Sequence, residues 1–304
     1  MKNHLGLFVG LGLFSSIIIN TTSAHPGSGI VVDSQGQVYF DYKGICKIDT
    51  RGKLSYIHRA QDGHWMCLDP DGSFSHAQPR YFKRISPDGV RPTIIFAGGG
   101  SPIAVQPDGD LYYVSGVEDF NPGGLQLVRN TPQGDLSVFA PGLRQATQDR
   151  GITGLTAGAD GNLYVACPNA VIKVKKDGTF STLADPIHLE GCDVDYPDGN
   201  TNYLLPSLRG LAADEKGTVF AAGTACHCVV RITPTGNVET ILKAARPWSP
   251  TGVAGHDGAV YVLEYTHANE PRSEGWLPRV RKIARDGSVT TLVTVGADTK
   301  IPGE

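Results

Sequence analysis

Histidine is the residue type that most suggests chemistry in this chain, because imidazole is a general base near neutral pH and a common metal ligand. Eight of the nine histidines follow the apolar N-terminal segment. His64, His227 and His267 are the candidate ligands for a divalent metal, which would be zinc, calcium or copper. Their spacing matches none of the compact zinc motifs, so a metal at these three residues is a hypothesis.

The segment Cys226-His227-Cys228 resembles a metal motif at first sight. Alternate residues of a strand face opposite ways, so the two cysteines cannot easily join the histidine around one ion. Six cysteines allow 15 pairings. We favour a disulfide between Cys192 and Cys226, and a pairing of Cys226 with Cys167 is the alternative.

Two long insertions carry further polar side chains. The first runs from Asp185 to Pro206, and a disulfide at Cys192 would hold it over the site. The second runs from Glu264 to Arg279 and contains Tyr265 and His267 as candidate supporting acids. Loops of this length inside a compact domain are usually functional or disordered.

A repeated unit must position these residues. It consists of an apolar strand, a turn ending in glycine, a strand with aromatic residues, a loop, a strand with basic residues, a second turn and a last strand. Gly161-Asn162-Leu163-Tyr164-Val165 followed by 171–178 shows the pattern. The pattern predicts an all-β fold, a six-bladed β-propeller of four-stranded antiparallel blades, with essentially no helix. The six units lie at about 27–59, 62–98, 101–140, 151–184, 207–243 and 249–293.

Asp-Gly pairs recur within these units, and we interpret them as hairpin turns because glycine accepts the positive φ of tight turns. A calcium loop would need a compact alternation of Asp and Gly with a closing Glu, which the sequence lacks. The pairs lie at 71–72, 88–89, 108–109, 160–161, 177–178, 257–258 and 286–287.

The motifs Asn162-Leu163-Tyr164-Val165-Ala166 and 231–236 (Arg-Ile-Thr-Pro-Thr-Gly) resemble the NHL repeat. They are also similar to the wider group of six-bladed SMP-30/gluconolactonase-like proteins and peptidyl-hydroxyglycine lyases. The resemblance to the lyases implies a histidine before the inner strand in three blades, holding zinc, and here only His64 has such a position. The resemblance to the lactonase-like proteins implies an acidic metal ligand on the first inner strand, and 28–32 offers none.

Aligning the repeats puts one polar residue immediately before each inner strand, and we call these six the rim residues. We predict that His64 and Arg209 face each other across one cavity, with Arg209 clamping an anion and His64 acting as base or metal ligand. The neutral rim residues would bind substrate through hydrogen bonds. The alternative is that the rim holds only water. The rim residues are Ser28, His64, Ser101, Thr153, Arg209 and Thr251.

The N-terminal residues are predicted to be an export signal. Lys2 precedes an apolar run from Leu5 to Ile19, and small residues end at Ala24, so we expect a signal peptide at 1–24 and a single domain at 25–304. The apolar run is shorter than the roughly 20 residues that span a bilayer. We therefore expect an exported monomer, periplasmic or secreted, without a membrane span after signal removal.

Two hypotheses for the function remain open. The first is a hydrolase or lyase that acts on a small polar or anionic substrate at the channel mouth. The second is a noncatalytic binding module for a peptide, a glycan or an extracellular partner protein. A formal charge of −3 with scattered basic residues argues against nucleic acid as a partner.

Overall fold

The computed structural model describes residues 26–59, 63–69, 82–85, 93–98, 101–115, 126–147, 150–192, 205–266 and 276–303. The predicted signal peptide at 1–24 lies outside these residues. The chain forms an all-β propeller of antiparallel sheets, and five of these sheets have four strands in the order in which they occur along the chain.

The first four-stranded sheet contains β1 (Ile30–Val32), β2 (Val38–Asp41), β3 (Gly44–Ile48) and β4 (Leu54–Arg59). The third sheet contains β8 (Ile103–Val105), β9 (Leu111–Ser115), β10 (Gln126–Asn130) and β11 (Leu136–Val138). The fourth contains β12 (Gly154–Ala157), β13 (Leu163–Cys167), β14 (Ala170–Val174) and β15 (Phe180–Ala184). The fifth contains β16 (Leu208–Ala213), β17 (Val219–Gly223), β18 (Cys228–Ile232) and β19 (Val238–Lys243). The sixth contains β20 (Trp248–His256), β21 (Ala259–Thr266), β22 (Pro278–Ile283) and β23 (Val289–Thr294).

The second sheet differs from the predicted unit. It shows three strands, β5 (Gly63–Asp69), β6 (Phe82–Ile85) and β7 (Thr93–Gly98), in the order β5-β7-β6. The repeat pattern predicts four strands for this blade, whereas the described residues show three, and β7 pairs directly with the inner strand β5. The reason is burial: Ile94, Ile95 and Phe96 are almost completely buried, as suits a strand between two others.

The innermost strands form a closed ring. Each of β1, β5, β8, β12, β16 and β20 contacts the next, and β20 returns to β1. The C-terminal residues also contact the first sheet, since the Tyr56 N–H donates to the Pro302 carbonyl at 2.7 Å and Ile301 packs against the core shared by the first and last sheets. Closure therefore rests on packing between these two sheets, as expected, with the chain end added.

The Asp-Gly turns confirm the interpretation of those pairs wherever the structure describes them. The glycines of the five described pairs have φ between +71° and +88°. The aspartate side chains also help to shape the turns, since Asp177 accepts the Thr179 N–H and Asp286 accepts the Ser288 N–H, both at 2.9 Å. These bonds, together with the Thr179 and Ser288 hydroxyls, hold the pKa of both carboxyls below the usual range. The pairs at 71–72 and 88–89 lie outside the described residues.

Helix is nearly absent from the part of the chain that the structure describes, as the sequence predicted. One short helix, α1 (Leu143–Ala146), lies in the connection between the third and fourth sheets. No described helix is long and apolar enough to cross a membrane.

Candidate functional site

The inner strands approach each other through glycines at the level of the rim. A Cβ placed on Gly154 would lie 2.0 Å from the carbonyl oxygen of Arg209 on the next blade. A Cβ on Gly210 would lie 2.5 Å from the Cα of Gly252. Real Cβ atoms do not come this close to backbone, so glycine is needed where two inner strands begin side by side.

The same contacts continue around the ring. A Cβ on Gly252 would lie 2.3 Å from the Ser28 carbonyl oxygen, and the Ser28 N–H donates to the His64 carbonyl at 2.8 Å. These contacts link the rim residues of consecutive blades from Arg209 through Thr251 and Ser28 to His64. The rim residues of these blades therefore lie at one level, although His64, Arg209 and Thr251 lie within β5, β16 and β20 and were wrongly predicted to precede them.

The central channel opens beneath this rim. Its cavity has a volume of about 220 Å³ and is bordered by residues of all six inner strands, among them Ser28, Ile30 and Leu155. Its lining begins at Trp65 and Gly210, one residue after His64 and Arg209 respectively. The lining residues include neither His64 nor Arg209. Their proposed roles stay predictions.

The neutral rim residues differ in their environment. Thr251 is fully buried, and its hydroxyl donates to the Gly27 carbonyl at 2.9 Å, so this side chain fixes the N-terminal segment to the sixth sheet. The hydroxyl oxygens of Ser28 and Thr153 are buried and have no hydrogen-bond partner among the described residues. Ser101 is half-buried just before β8. Both hydroxyl oxygens are closed off from solvent, so the substrate-binding roles of Ser28 and Thr153 stay predictions.

Tyr265 was predicted to lie in a loop, and this was wrong, because it lies in strand β21. Its ring is buried, and its hydroxyl donates to the backbone carbonyl of Asp41 on the first sheet. Burial, and then the nearby Asp41 carboxyl, raise the pKa of Tyr265 well above its ordinary value. The geometry assigns this side chain to the junction of the last and first sheets, and it offers no exposed acid.

Glu264 also lies in β21, although the insertion was predicted to begin there. Its carboxylate is fully buried and accepts hydrogen bonds from Arg279 and Arg281, with Nε of each at 2.7 Å. The Arg279 guanidinium also lies 4.2 Å from the centre of the Trp248 ring. The charges of Glu264, Arg279 and Arg281 suggested a loop. These residues can lie in buried strands because the carboxylate and the two guanidinium groups neutralise each other across β21 and β22.

His227 occupies a tight turn between β17 and β18 with a φ of +51°. Its ring is buried, and Nδ1 lies 2.9 Å from the Trp248 carbonyl oxygen and 2.9 Å from Ser249 Oγ. No group of three His, Cys, Asp or Glu side chains is close enough to hold a metal ion in the described part of the chain. His267 lies outside that part. The metal site predicted at His64, His227 and His267 therefore stays a prediction.

The predicted disulfide between Cys192 and Cys226 is present, with a Cα–Cα distance of 3.7 Å. The Lys243 ammonium reinforces this junction by donating to the carbonyls of Glu190 at 2.8 Å and Cys226 at 2.9 Å. The first residues of the insertion, 185–192, are thus held against the fifth sheet, whereas 193–204 lie outside the described residues.

Asp41 is a residue that the sequence reasoning missed. It ends β2, its N–H donates to the Gly29 carbonyl at 2.9 Å, and its carboxyl lies against Gly27, where a Cβ would come 1.9 Å from Oδ2. Burial raises the pKa of Asp41 well above its ordinary value, although the Gly44 N–H opposes the shift. Asp41 lies on β2, the strand next to the first inner strand, where the resemblance did not predict an acid.

Trp65 is the second missed residue. It lies in β5, the whole residue is 6% exposed, and it packs with Ile95, Ile103 and Val128 in the core between the second and third sheets. Its indole nitrogen is buried and has no hydrogen-bond partner among the residues described. In the sequence, an aromatic residue within an inner strand predicts only core packing.

These features define a β-propeller with a narrow channel and a polar mouth. No family model and no curated protein matches the chain. Solved structures share the scaffold, and the expected likeness to the SMP-30/gluconolactonase group is confirmed at that level. A putative gluconolactonase is 19% identical, with a TM-score of 0.51 over 78% of this chain and 85% of that one.

Two further structures show the same scaffold. An auxiliary nutrient binding protein from Bacteroides thetaiotaomicron is 12% identical, with a TM-score of 0.53 over 88% of this chain and 70% of that one. The virginiamycin B lyase from Staphylococcus aureus is 13% identical, with a TM-score of 0.49 over 92% of this chain and 87% of that one. At these identities the likeness shows the propeller fold alone.

Proposed function

We propose that the protein is an exported propeller of six NHL-type blades that binds a small polar or anionic molecule at the mouth of its central channel. The observation that carries the proposal is the position of Arg209. It is the one permanent cation among the six rim residues, and it stands at the level where neighbouring inner strands begin. A guanidinium presents a fork of donors that suits a carboxylate or phosphate.

The channel next to the rim supports a ligand of limited size. The channel volume of about 220 Å³ is below the roughly 300–1,000 Å³ of pockets for drug-sized molecules. The proposal assigns neutral hydrogen bonds to Ser28 and Thr153, whose buried hydroxyls have no hydrogen-bond partner among the described residues. A molecule with one anionic group and a few polar atoms therefore fits the channel mouth best.

Turnover by a hydrolase- or lyase-type reaction depends on His64 as the base. Tyr265 is buried and bonded to a backbone carbonyl, and the His227 ring contacts the sixth sheet, so neither supplies an accessible acid. Binding is therefore the primary proposal. A putative gluconolactonase and an auxiliary nutrient binding protein are both built on this scaffold, so either kind of role has a precedent there.

Export is part of the proposal. The Cys192–Cys226 disulfide supports it, because disulfides form and persist in oxidising compartments. N-terminal sequencing of protein from the periplasm or medium tests it. A mature chain that begins at His25 is expected, and retention of residues 1–24 on all of the protein would contradict it.

Calorimetric titration of the folded protein with a panel of small anions, including acetate, phosphate and citrate, tests the binding site. We expect at least one anion to bind, and Arg209→Gln to weaken its affinity about 10- to 100-fold, the loss of about 1.5–3 kcal/mol for a charged hydrogen bond. Arg231→Gln is the matched control, because Arg231 is exposed on the same blade and bonded to Glu239. Equal weakening by both variants, or no binding of any anion, would overturn the proposal.

His64→Ala separates turnover from binding. If the protein is an enzyme with His64 as base, this variant should bind the anion but lose turnover. If a substrate is turned over equally well by the variant, His64 is not the base.

A further inference from the structure

The inner strands leave one edge of each sheet without a neighbouring strand. In the described part of the chain, β1, β8, β12 and β16 each stand at the end of a sheet and pair only with the second strand of their own blade. An end strand presents a row of backbone N–H and C=O groups that no other strand satisfies. In a propeller this row borders the central channel.

The hydrogen bonds at the ends of these strands show which residues turn their backbone groups toward the channel. The Gly158 N–H donates to the Asn162 carbonyl at 2.8 Å, which fixes the alternation in β12. Because alternate residues of an antiparallel strand bond to the same neighbour, Thr156 bonds to β13, whereas Leu155 and Ala157 point their N–H and C=O groups the other way.

Equivalent bonds fix the same alternation in the other three strands. The Asp33 N–H donates to the Gln37 carbonyl at 3.0 Å after β1. The N–H groups of Gln106 and Asp214 each donate at 2.9 Å across the hairpins that follow β8 and β16. We call the residues that point away from the second strand the channel-edge residues: Ile30, Val32, Ile103, Val105, Leu155, Ala157, Leu211 and Ala213.

All eight channel-edge residues line the channel cavity. Their outward N–H and C=O groups have no hydrogen-bond partner among the described residues. Val105, Ala157 and Ala213 are half-buried, so each keeps accessible surface. Because nearly all buried backbone groups in native proteins are paired, the channel must hold water or a ligand that both donates and accepts hydrogen bonds.

The absence of charge in the wall selects the kind of ligand. None of the described residues that line the cavity is Asp, Glu, Lys, Arg or His. A charged ligand would lose its hydration there without meeting an opposite charge, which is costly. A cation would also use only the carbonyls, and an anion only the N–H groups. A neutral ligand with both a donor and an acceptor matches the whole wall.

We propose that the channel binds a small neutral carboxamide through the backbone of the channel-edge residues. An amide group carries a carbonyl acceptor beside an NH₂ donor, and these are the groups that a neighbouring strand would offer to the same edge. The cavity of about 220 Å³ has room for about seven waters at about 30 Å³ each, so a molecule of a few heavy atoms fits. The inference goes beyond the proposed function, because it concerns a neutral group inside the channel and does not depend on Arg209.

Nuclear magnetic resonance of the ¹⁵N-labelled mature protein tests the inference with three probes of equal size. We expect acetamide to shift the backbone amide signals of Val105, Ala157 and Ala213 in a saturable manner. Acetone accepts but does not donate, so it should bind about 5- to 10-fold more weakly, which corresponds to one hydrogen bond of about 1–1.4 kcal/mol. Acetate should shift these three signals less than acetamide, because the wall offers no countercharge. Equal affinity for acetone and acetamide, or signals that ignore acetamide, would overturn the inference.

Gly255 offers a variant that narrows the channel. It lines the cavity, and a Cβ placed on it meets no atom within 4 Å. Gly255→Leu should therefore fold and abolish the saturable shifts, and Gly255→Val is the smaller step if the leucine lowers the urea midpoint. Ser181→Leu adds the same side chain at an exposed position on β15 and should leave acetamide binding unchanged. Undiminished binding in the folded Gly255 variant would show that acetamide binds outside the channel.

Arg209→Gln separates this inference from the proposed function. The variant should weaken the binding of an anion at the mouth and leave the affinity for acetamide unchanged. If an anion binds while acetamide does not, the inference about the channel is wrong and the proposed function stands. If acetamide shifts the three channel signals while no anion binds, the proposed function alone fails.

Discussion

Tyr265 and Asp41 join the last blade to the first through one hydrogen bond, in which the tyrosine hydroxyl donates to the aspartate carbonyl. We expect Tyr265→Phe to lower the free energy of unfolding by about 1–3 kcal/mol, because a buried carbonyl loses its partner. Urea denaturation measures the change. Tyr261→Phe in the same strand is the control, since the Tyr261 ring packs beneath the Lys282 ammonium. An unchanged midpoint for Tyr265→Phe would show that this bond does not stabilise the closure.

The glycines at the rim give a second prediction. Gly252→Ala places a Cβ against the Ser28 carbonyl, so the inner strands of the last and first blades must separate. We expect a loss of about 1–3 kcal/mol, typical of overpacking. Gly255→Ala in the same strand is the matched control, because a Cβ there meets nothing within 4 Å. Thermal unfolding of both variants provides the comparison, and equal midpoints would contradict the proposed close contact.

Asp41 makes stability depend on pH. Its pKa is raised by burial, so the folded state prefers the protonated carboxyl. The stability contributed by this group is fully present below its unfolded pKa of about 3.9, and it is lost as the pH rises from there through the folded pKa. Asn is always neutral and can still accept the Gly44 N–H.

Asp41→Asn should therefore be more stable than the wild type at pH 7, by about 1–3 kcal/mol, and equally stable near pH 3. Urea denaturation at both pH values measures this difference. Asp286→Asn is the control, since Asp286 is exposed and its pKa is lowered by Ser288. A variant that is destabilised at pH 7 would show that the Asp41 carboxylate has a cationic partner.

Much of the fold was predictable because the repeat carries local signals that do not depend on distant residues. An Asp-Gly pair such as 177–178 encodes its turn through the positive φ of glycine, and Gly210 marks the start of an inner strand. The second sheet was mispredicted for the opposite reason. The position of β7 depends on its pairing with β5. This is a long-range contact that the local sequence pattern does not predict.

The site was less predictable than the fold. The repeat alignment predicted the rim residues from register alone, and their roles stay predictions. Glu264 and Tyr265 were assigned to a loop because their polarity hides the buried partners that permit them in a strand. Trp65 and Asp41 were missed because the sequence does not show that the Trp65 indole lacks an acceptor or that the Asp41 carboxyl is buried. Both properties depend on the three-dimensional surroundings.

The buried ion pairs of the sixth sheet give another prediction. Glu264→Ala leaves Arg279 and Arg281 without the carboxylate to which both donate. We expect a loss of about 3–5 kcal/mol, as when one partner of a buried pair is removed. Glu239→Ala, which breaks an exposed pair with Arg231, should cost less than about 1 kcal/mol. If the two variants unfold at the same urea concentration, the buried network contributes no more than a surface pair.

The disulfide between Cys192 and Cys226 has a sequence separation of 34, and the loop that it closes contains the second part of the long insertion, 192–206. Replacing both cysteines by serine should lower the free energy of unfolding by about 2–4 kcal/mol, chiefly by freeing the unfolded chain.

If the insertion also covers the channel mouth, the variant should release a bound anion faster than the wild type, and stopped-flow dilution measures that rate. Lys243→Met tests the packing separately, because it removes the ammonium from the Glu190 and Cys226 carbonyls while the disulfide stays. Faster release in the serine variant, with little change in Lys243→Met, would assign the covering role to the disulfide. Unchanged release in both would show that the insertion does not control access to the channel.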